Sequence, residues 1–220
     1  PVQTTVAAQQ DLARVESVLV ARRSRSEAFI TSAAAEWDAR VASLFGSRAD
    51  LGAALALLDH TLIVGDLGCG TGSLSLSLAR HVAHVHAIDG SPAMLEAARQ
   101  RLQGQSNVSV AEGSLEALPL DDASLDVAVL MLVLHHVAEP SRVLKEARRV
   151  LRAGGRLLIA DMGAHEREEY RTQMGHVWLG FDERSLRGWL SKAGFRTTRY
   201  VALPVDPAAV GPALFTLVAS

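Results

Sequence analysis

Residues 66–72 read Asp-Leu-Gly-Cys-Gly-Thr-Gly at the end of an apolar run. Three glycines so close together invite a ligand to lie against bare backbone. Three chemistries compete for such a loop. A phosphate-binding loop needs G-x-x-x-x-G-K-[ST], and no lysine follows Gly72. The dinucleotide fingerprint needs G-x-G-x-x-G, and the spacing here is G-x-G-x-G, one residue short. The third candidate is a nucleoside without a pyrophosphate. Asp66, set before the glycines, suits a cationic amine better than an anion. A second carboxylate, Asp89, closes the next apolar run, near the ~20 residues past the glycines at which a ribose-binding acid is expected. It can accept both ribose hydroxyl hydrogens. A tight turn explains a lone glycine loop and a helix cap explains a lone aspartate; their coincidence at one rim is what carries information.

The elements that must position these groups follow from periodicity. Apolar runs at 61–67, 83–88, 107–111, 125–132 and 155–161 read as strands, and 73–81, 91–103 and 141–152 between them as helices. Ser91-Pro92 is an explicit helix start, and the third helix is expected to stop at the glycines of "AGG". Alternation of buried strands with helices predicts an α/β fold: a Rossmann-like, seven-stranded, mostly parallel sheet with helices on both faces. A further helix is expected at 182–193. The strands "GFRTTRYVAL" and "ALFTLVAS" follow without a helix between them, so an antiparallel terminal hairpin is expected. Residues 9–58 read as three helices forming an N-terminal extension. The expected division is 1–58, a helical cap or linker, and 59–220, the ligand-binding domain. The small, alanine-rich face of the second helix (32–45) allows pairing into a homodimer.

Composition bounds the function classes. The chain has 220 residues, 49% hydrophobic and 21% charged, with formal net charge -2. That suits one domain plus an appendage. Lysine and arginine are scattered, so nucleic acid is not an expected partner. No apolar run approaches the ~20 residues of a membrane span, and no signal-peptide pattern is present; a cytoplasmic, bacterial-type enzyme is expected. The chain opens at Pro1 rather than Met, so a processed or trimmed piece is expected. One cysteine, Cys69, rules out an intrachain disulfide or a thiolate metal cluster.

"GDLGCGTGSLSLSLA", "HAIDGSPAMLEAA", "EALPLDDASLDVAVLMLVLHHV" and "EARRVLRAGGRLLIAD" resemble, in order and spacing, the class I S-adenosylmethionine-dependent methyltransferases, over roughly residues 60–162. The nearest look is the ubiquinone/menaquinone-type subgroup acting on small molecules. "AHEREEYRTQMGHVWLGF" and "DLARVESVLVARRSRSEAF" further resemble the methyltransferase half of fusions with an ArsR-type regulator. That resemblance implies a DNA-binding domain once ahead of Pro1. It implies S-adenosylmethionine as cofactor and S-adenosylhomocysteine as product. Asp66 would orient the methionyl end, with Gly68, Gly70 and Gly72 beneath it. Asp89 would hold the ribose beside Gly90, and Met94 would lie against adenine. Ser114 stands where relatives often carry an aspartate at the adenine edge, which weakens that contact; the Leu115 N–H would still serve adenine. The Met131 carbonyl would meet the ammonium group. Trp37 stands where relatives carry a tyrosine over the sulfonium, so either a cation–π contact or plain helix packing explains it.

Methyl transfer by in-line displacement asks the protein to align nucleophile, methyl and sulfur, and to exclude water. A phenol or hydroxyl acceptor also calls for a base. His135 and His136, after the fourth strand, and His176, in the polar stretch 163–181, are the candidate catalytic groups. That stretch reads either as a substrate lid or as a capping amphipathic helix. Its histidines and acids also raise a metal site, but no spacing such as H-E-x-x-H is present, and no metal is expected. "HVAHVH" (His81, His84, His86) reads as a helix end and an alternating strand. Cys69 reads as a small residue that fits the loop. The expected function is methyl transfer to a small, hydrophobic or aromatic acceptor. The alternative is a non-catalytic sensor of S-adenosylmethionine or S-adenosylhomocysteine. A pocket lined by His135, His136, His176 and Trp178 favours the enzyme; a lid closed on no cavity favours the sensor.

Overall fold

The computed structural model describes residues 6–33, 36–46, 48–196, 198–206 and 208–220. They fall into two compact units, Pro1–Ala54 and Leu55–Ser220. The first holds helices α1 (Val6–Ala33) and α2 (Trp37–Phe45) and most of α3 (Ala49–Leu55). Ala34 and Ala35, inside the expected second helix, lie outside the described residues. In this unit Trp37 meets Phe29 edge-on at 6.4 Å, and the Arg40 guanidinium lies 5.7 Å from the Phe29 ring.

The second unit is a seven-stranded mixed sheet. Its strands are β1 (Ile63–Leu67), β2 (His84–Asp89), β3 (Val108–Glu112), β4 (Leu125–Met131), β5 (Leu151–Met162), β6 (Thr198–Ala202) and β7 (Leu214–Ala219). The order is β3-β2-β1-β4-β5-β7-β6. The first five are parallel; β7 runs antiparallel between β5 and the edge strand β6. The expected sheet and its terminal antiparallel pair are both present.

Alternation along the strands sorts the core onto two faces. Val64, Val85 and Val129 pack with Leu78 of α4 (Ser73–Ala79), and Ala87 packs with Leu95 and Ala98 of α5 (Pro92–Arg101). On the other face Leu67, Ala128, Leu130, Leu157 and Ile159 meet α6 (Pro140–Val150) and α8 (Glu183–Lys192). In α6 the apolar positions Val143, Leu144, Ala147 and Val150 recur at three- and four-residue steps and all are buried. Each valine or leucine side chain among them contributes ~1.5–3 kcal/mol of burial.

The helix ending at Val150 is shorter than expected. Leu151 already pairs with Leu125, and the register then shifts so that Arg156 pairs with Val127. The glycines expected to end the helix thus sit inside an irregular strand, with Gly154 at φ 79°.

The chain runs outward from β1 to β3 and then returns to β4 on β1's other side. That reversal is the switch point at which open α/β sheets leave a crevice beyond their carboxyl ends. The ends of β1 and β4 therefore define where the site must be.

Candidate active site

The glycine loop leaves β1 with Gly68, Gly70 and Gly72 all at positive φ (78°, 53° and 76°). The reason for glycine differs among them. A Cβ on Gly68 would come within 2.3 Å of Val133 Cγ2, and one on Gly72 within 3.0 Å of Leu102 Cδ1. Those two permit the loop to pack on the turn after β4 and on α5. Only Gly70 faces open space. The expectation that all three glycines clear room for a ligand is corrected to that extent.

Asp89 braces the same loop. One carboxylate oxygen accepts from Gly70 N–H and the other from Ser91 N–H, both at 2.8 Å. Ser91 in turn caps α5, its hydroxyl accepting from Met94 N–H. Each oxygen keeps a second lone pair for a ribose hydroxyl. Asp66 is 1% exposed and accepts from the Ser75 hydroxyl at 2.6 Å. Burial pushes its carboxyl up to about 6. Cys69 is buried and its thiol is pushed up to about 12, chiefly by burial, which disqualifies it as a nucleophile.

Gly90, Ser114 and Leu115 line one pocket of about 620 Å³, with Glu112, Gly113, Glu116 and Val137. The Ser114 hydroxyl accepts from Glu116 N–H. The 113–122 loop forming this wall is pinned from behind by α6. Glu146 accepts from Leu118 N–H, and the Arg149 guanidinium donates to the Leu118 and Leu120 carbonyls. Met94 and Met131 are partly exposed and line neither this pocket nor the one described next. Trp37 belongs to the first unit.

The second pocket, about 450 Å³, has His135, His136 and His176 on one side. Leu132, Met162, Tyr170, Met174 and, from the stretch after β6, Leu203, Pro204, Val205, Pro212 and Leu214 make up much of the rest. Its polar face is built by the turn after β4. Leu132 leaves the strand at φ 53°, left-handed backbone that a β-carbon disfavours. One turn of 3-10 helix, Leu134–His136, follows. Buried Asp161, at the end of β5, holds it: Oδ2 accepts from Leu134 N–H at 3.1 Å, and Oδ1 lies 2.8 Å from both His135 Nδ1 and Met162 N. The His135 carbonyl accepts from both Val177 N–H and Trp178 N–H, which brings His176 against it.

The three histidine rings are mutual neighbours, with centroids 4.2, 4.3 and 5.1 Å apart. Burial holds His136 and His176 below the usual histidine range, with neighbouring histidines adding to the effect. Trp178, expected in the pocket wall, is not there. Its indole N–H donates to the Val137 carbonyl and its ring packs on Phe181 and Trp189. His84 and His86 share the Ser109 hydroxyl on one face of β2, as strand alternation requires.

Stretch 163–181 makes a closed excursion. Gly163 and Phe181 bridge at its base, the His165 N–H bonds the Leu179 carbonyl, and one short helix, α7 (Glu169–Gln173), lies at its middle. Sequence reasoning missed Asp161 and the connection 203–213. Asp161 ends a strand as Asp66 and Asp89 do, and that repeated pattern was a usable signal. The connection "LPVDPAAVGPA" is too apolar for a solvated turn, which was another.

The glycine loop with its two carboxylates thus lies at the β1 and β2 ends, and an apolar pocket at the β4 and β5 ends, of a Rossmann-like sheet. Residues 65–159 match the family model described as a methyltransferase domain. A demethylmenaquinone methyltransferase of Clavibacter sepedonicus is 31% identical over 163 residues, 61% of this chain and 66% of that one. A 37.1 kDa protein in a transposon of Streptomyces fradiae is 46% identical over 99 residues, 44% of this chain. The chain spans 29% of that protein's length. A solved S-adenosylmethionine-dependent methyltransferase from Aquifex aeolicus superposes with TM-score 0.62 at 25% identity, covering 77% of this chain and 87% of that one. Residues 65–159 thus carry a methyltransferase domain similar to those of the S-adenosylmethionine-dependent class. S-Adenosylmethionine is the cofactor of this class. No described helix is long and apolar enough to cross a membrane.

Proposed function

We propose that this chain transfers the methyl group of S-adenosylmethionine to a small apolar acceptor, aromatic or quinol-like, held in the pocket of about 450 Å³. The observation that carries the reading is the turn 132–137. Its Val133 touches Gly68, its Val137 lines the Gly90–Ser114 pocket, and its Leu132, His135 and His136 line the apolar pocket. One short segment thus joins the two places a donor and an acceptor would occupy.

Asp66 would take the cofactor's ammonium, Asp89 its ribose, and Gly90, Ser114 and Leu115 its adenine. The pocket's apolar walls would exclude water from the displacement, which removes competing nucleophiles. His135, His136 and His176 would meet the polar group of the acceptor. The Clavibacter relative is named for a quinone-type acceptor, whose apolar ring would suit the pocket's apolar lining. A cavity beside the histidines favours the enzyme over a sensor.

The test is turnover with S-adenosylmethionine and a panel of demethylated naphthoquinols and phenols, read as S-adenosylhomocysteine and methylated product by mass spectrometry. Turnover of at least one apolar acceptor is expected. His176→Ala is expected to cut it ~100-fold, in the range typical of removing one catalytic group, with cofactor affinity unchanged. Tight cofactor binding without turnover across the panel would favour the sensor. Equal loss of affinity and turnover in His176→Ala would make that residue structural.

A further inference from the structure

His176 is 4% exposed, and neither of its ring nitrogens has a hydrogen-bond partner. A buried imidazole with both nitrogens unsatisfied loses its hydration at each nitrogen with nothing in exchange. Native structures seldom tolerate that without a further ligand. Around it, two other imidazoles present lone pairs. Asp161 already accepts from two backbone N–H groups, so His135 Nδ1 is its third donor. That leaves the lone pair of His135 on Nε2. His136 Nδ1 lies 3.3 Å from the Gly175 carbonyl, which can only accept. Its lone pair is therefore also on Nε2. One ligand atom from each of the three histidines falls in a group whose members all lie within 4.8 Å of one another.

We propose that His135, His136 and His176 form a three-nitrogen site for a borderline divalent transition metal, zinc being the type case, with its open position facing the apolar pocket. A tetrahedral ion with ~2.0–2.1 Å bonds needs nitrogens about 3.3 Å apart. The nitrogens, now within 4.8 Å of one another, must close by up to about 1.5 Å to reach that spacing, and exposed His136 has freedom to move. Three nitrogens without a ligating carboxylate select against magnesium and calcium, which take oxygen. Asp161 then acts as the outer partner that fixes the tautomer and orientation of His135, as carboxylates do behind metal-bound histidines. No spacing such as H-E-x-x-H announces these ligands in the sequence, and on that ground no metal is expected from it. His135 and His136 are about forty residues from His176 along the chain, and the two Val177 and Trp178 N–H bonds to the His135 carbonyl bring them together.

All three histidines line the apolar pocket. A hydroxyl oxygen bound at the open position would bind as its conjugate base, its proton passing to solvent. That role rests on the methyl-transfer reading; metal binding does not. Tag-free protein is stripped with chelator and titrated by calorimetry with zinc alone, then with cobalt(II) alone while its visible spectrum is followed. One equivalent is expected, with the intense visible bands of four-coordinate cobalt. His176→Ala and His136→Ala, the latter at an exposed position, are each expected to weaken binding at least ~100-fold. Asp161→Asn is expected to weaken it ~10–100-fold. Absence of saturable binding would overturn the site, as would affinity unchanged in both histidine variants, or displacement of cobalt by millimolar magnesium. Binding of S-adenosylhomocysteine to the stripped protein reports on the cofactor reading separately.

Discussion

Asp89 shows how one side chain links the glycine loop to helix α5. It was legible from its place at the end of an apolar run, but its two backbone partners were not. Those partners give it a structural duty besides the proposed ribose binding. Asp89→Ala is therefore expected to do more than delete two ligand hydrogen bonds. It frees the Gly70 and Ser91 N–H groups and loosens the loop on which the methionyl chain would lie. Hydrogen bonds to a charged group contribute ~1.5–3 kcal/mol each, so loss of at least ~100-fold in affinity for S-adenosylhomocysteine is expected by calorimetry. Near-normal affinity would sink the assignment of the cofactor site. Asp89→Asn keeps the oxygen that accepts one of these bonds and should fall between the two.

At the scale of elements, stretch 163–181 was legible as an insertion too long and too polar for a turn. Its closed base was not. Gly180 sits at φ 74°, and a Cβ there would come within 2.1 Å of the Gly163 carbonyl oxygen. Backbone cannot give way as a side chain can, so only glycine permits the two ends to meet. Gly180→Ala is expected to open the base, weaken the Phe181 N–H to Met162 carbonyl bond, and withdraw His176 from His135. Limited proteolysis should cut within 163–181 in this variant while the sheet stays intact, and acceptor turnover should fall with little change in cofactor affinity. Wild-type protease resistance would show that the base is not held in this way. The connection 203–213, which supplies much of the pocket's apolar wall, went unread because strand pairing, not periodicity, carries it there. Trp178 went the other way: its type and position suggested a pocket residue, and packing on Phe181 and Trp189 claimed it for the core.

For the whole molecule, the glycine loop and its first aspartate set stability against binding. Folding raises Asp66 to about 6 because burial disfavours its charge. Between about pH 4 and pH 6 the folded chain holds a proton that the unfolded chain has released, so this residue's contribution to stability falls as pH rises through that window. Above it, the penalty is about 3 kcal/mol. Asp66→Asn keeps an acceptor for Ser75 and removes the penalty. It is expected to raise the melting temperature of the cofactor-free protein at pH 7.5 by roughly 5–10 °C, to do little at pH 4.5, and to weaken cofactor binding. An equal shift at both pH values would refute the electrostatic account. The order of strands and helices, the glycine loop and the two aspartates could be read from the chain, because local periodicity and short-range spacing encode them. The three-histidine cluster, the Asp161 brace and the apolar pocket could not. His135 lies 26 positions from Asp161 and about forty from His176 along the chain, and these groups become neighbours only when β4, β5 and the excursion after β5 pack against one another.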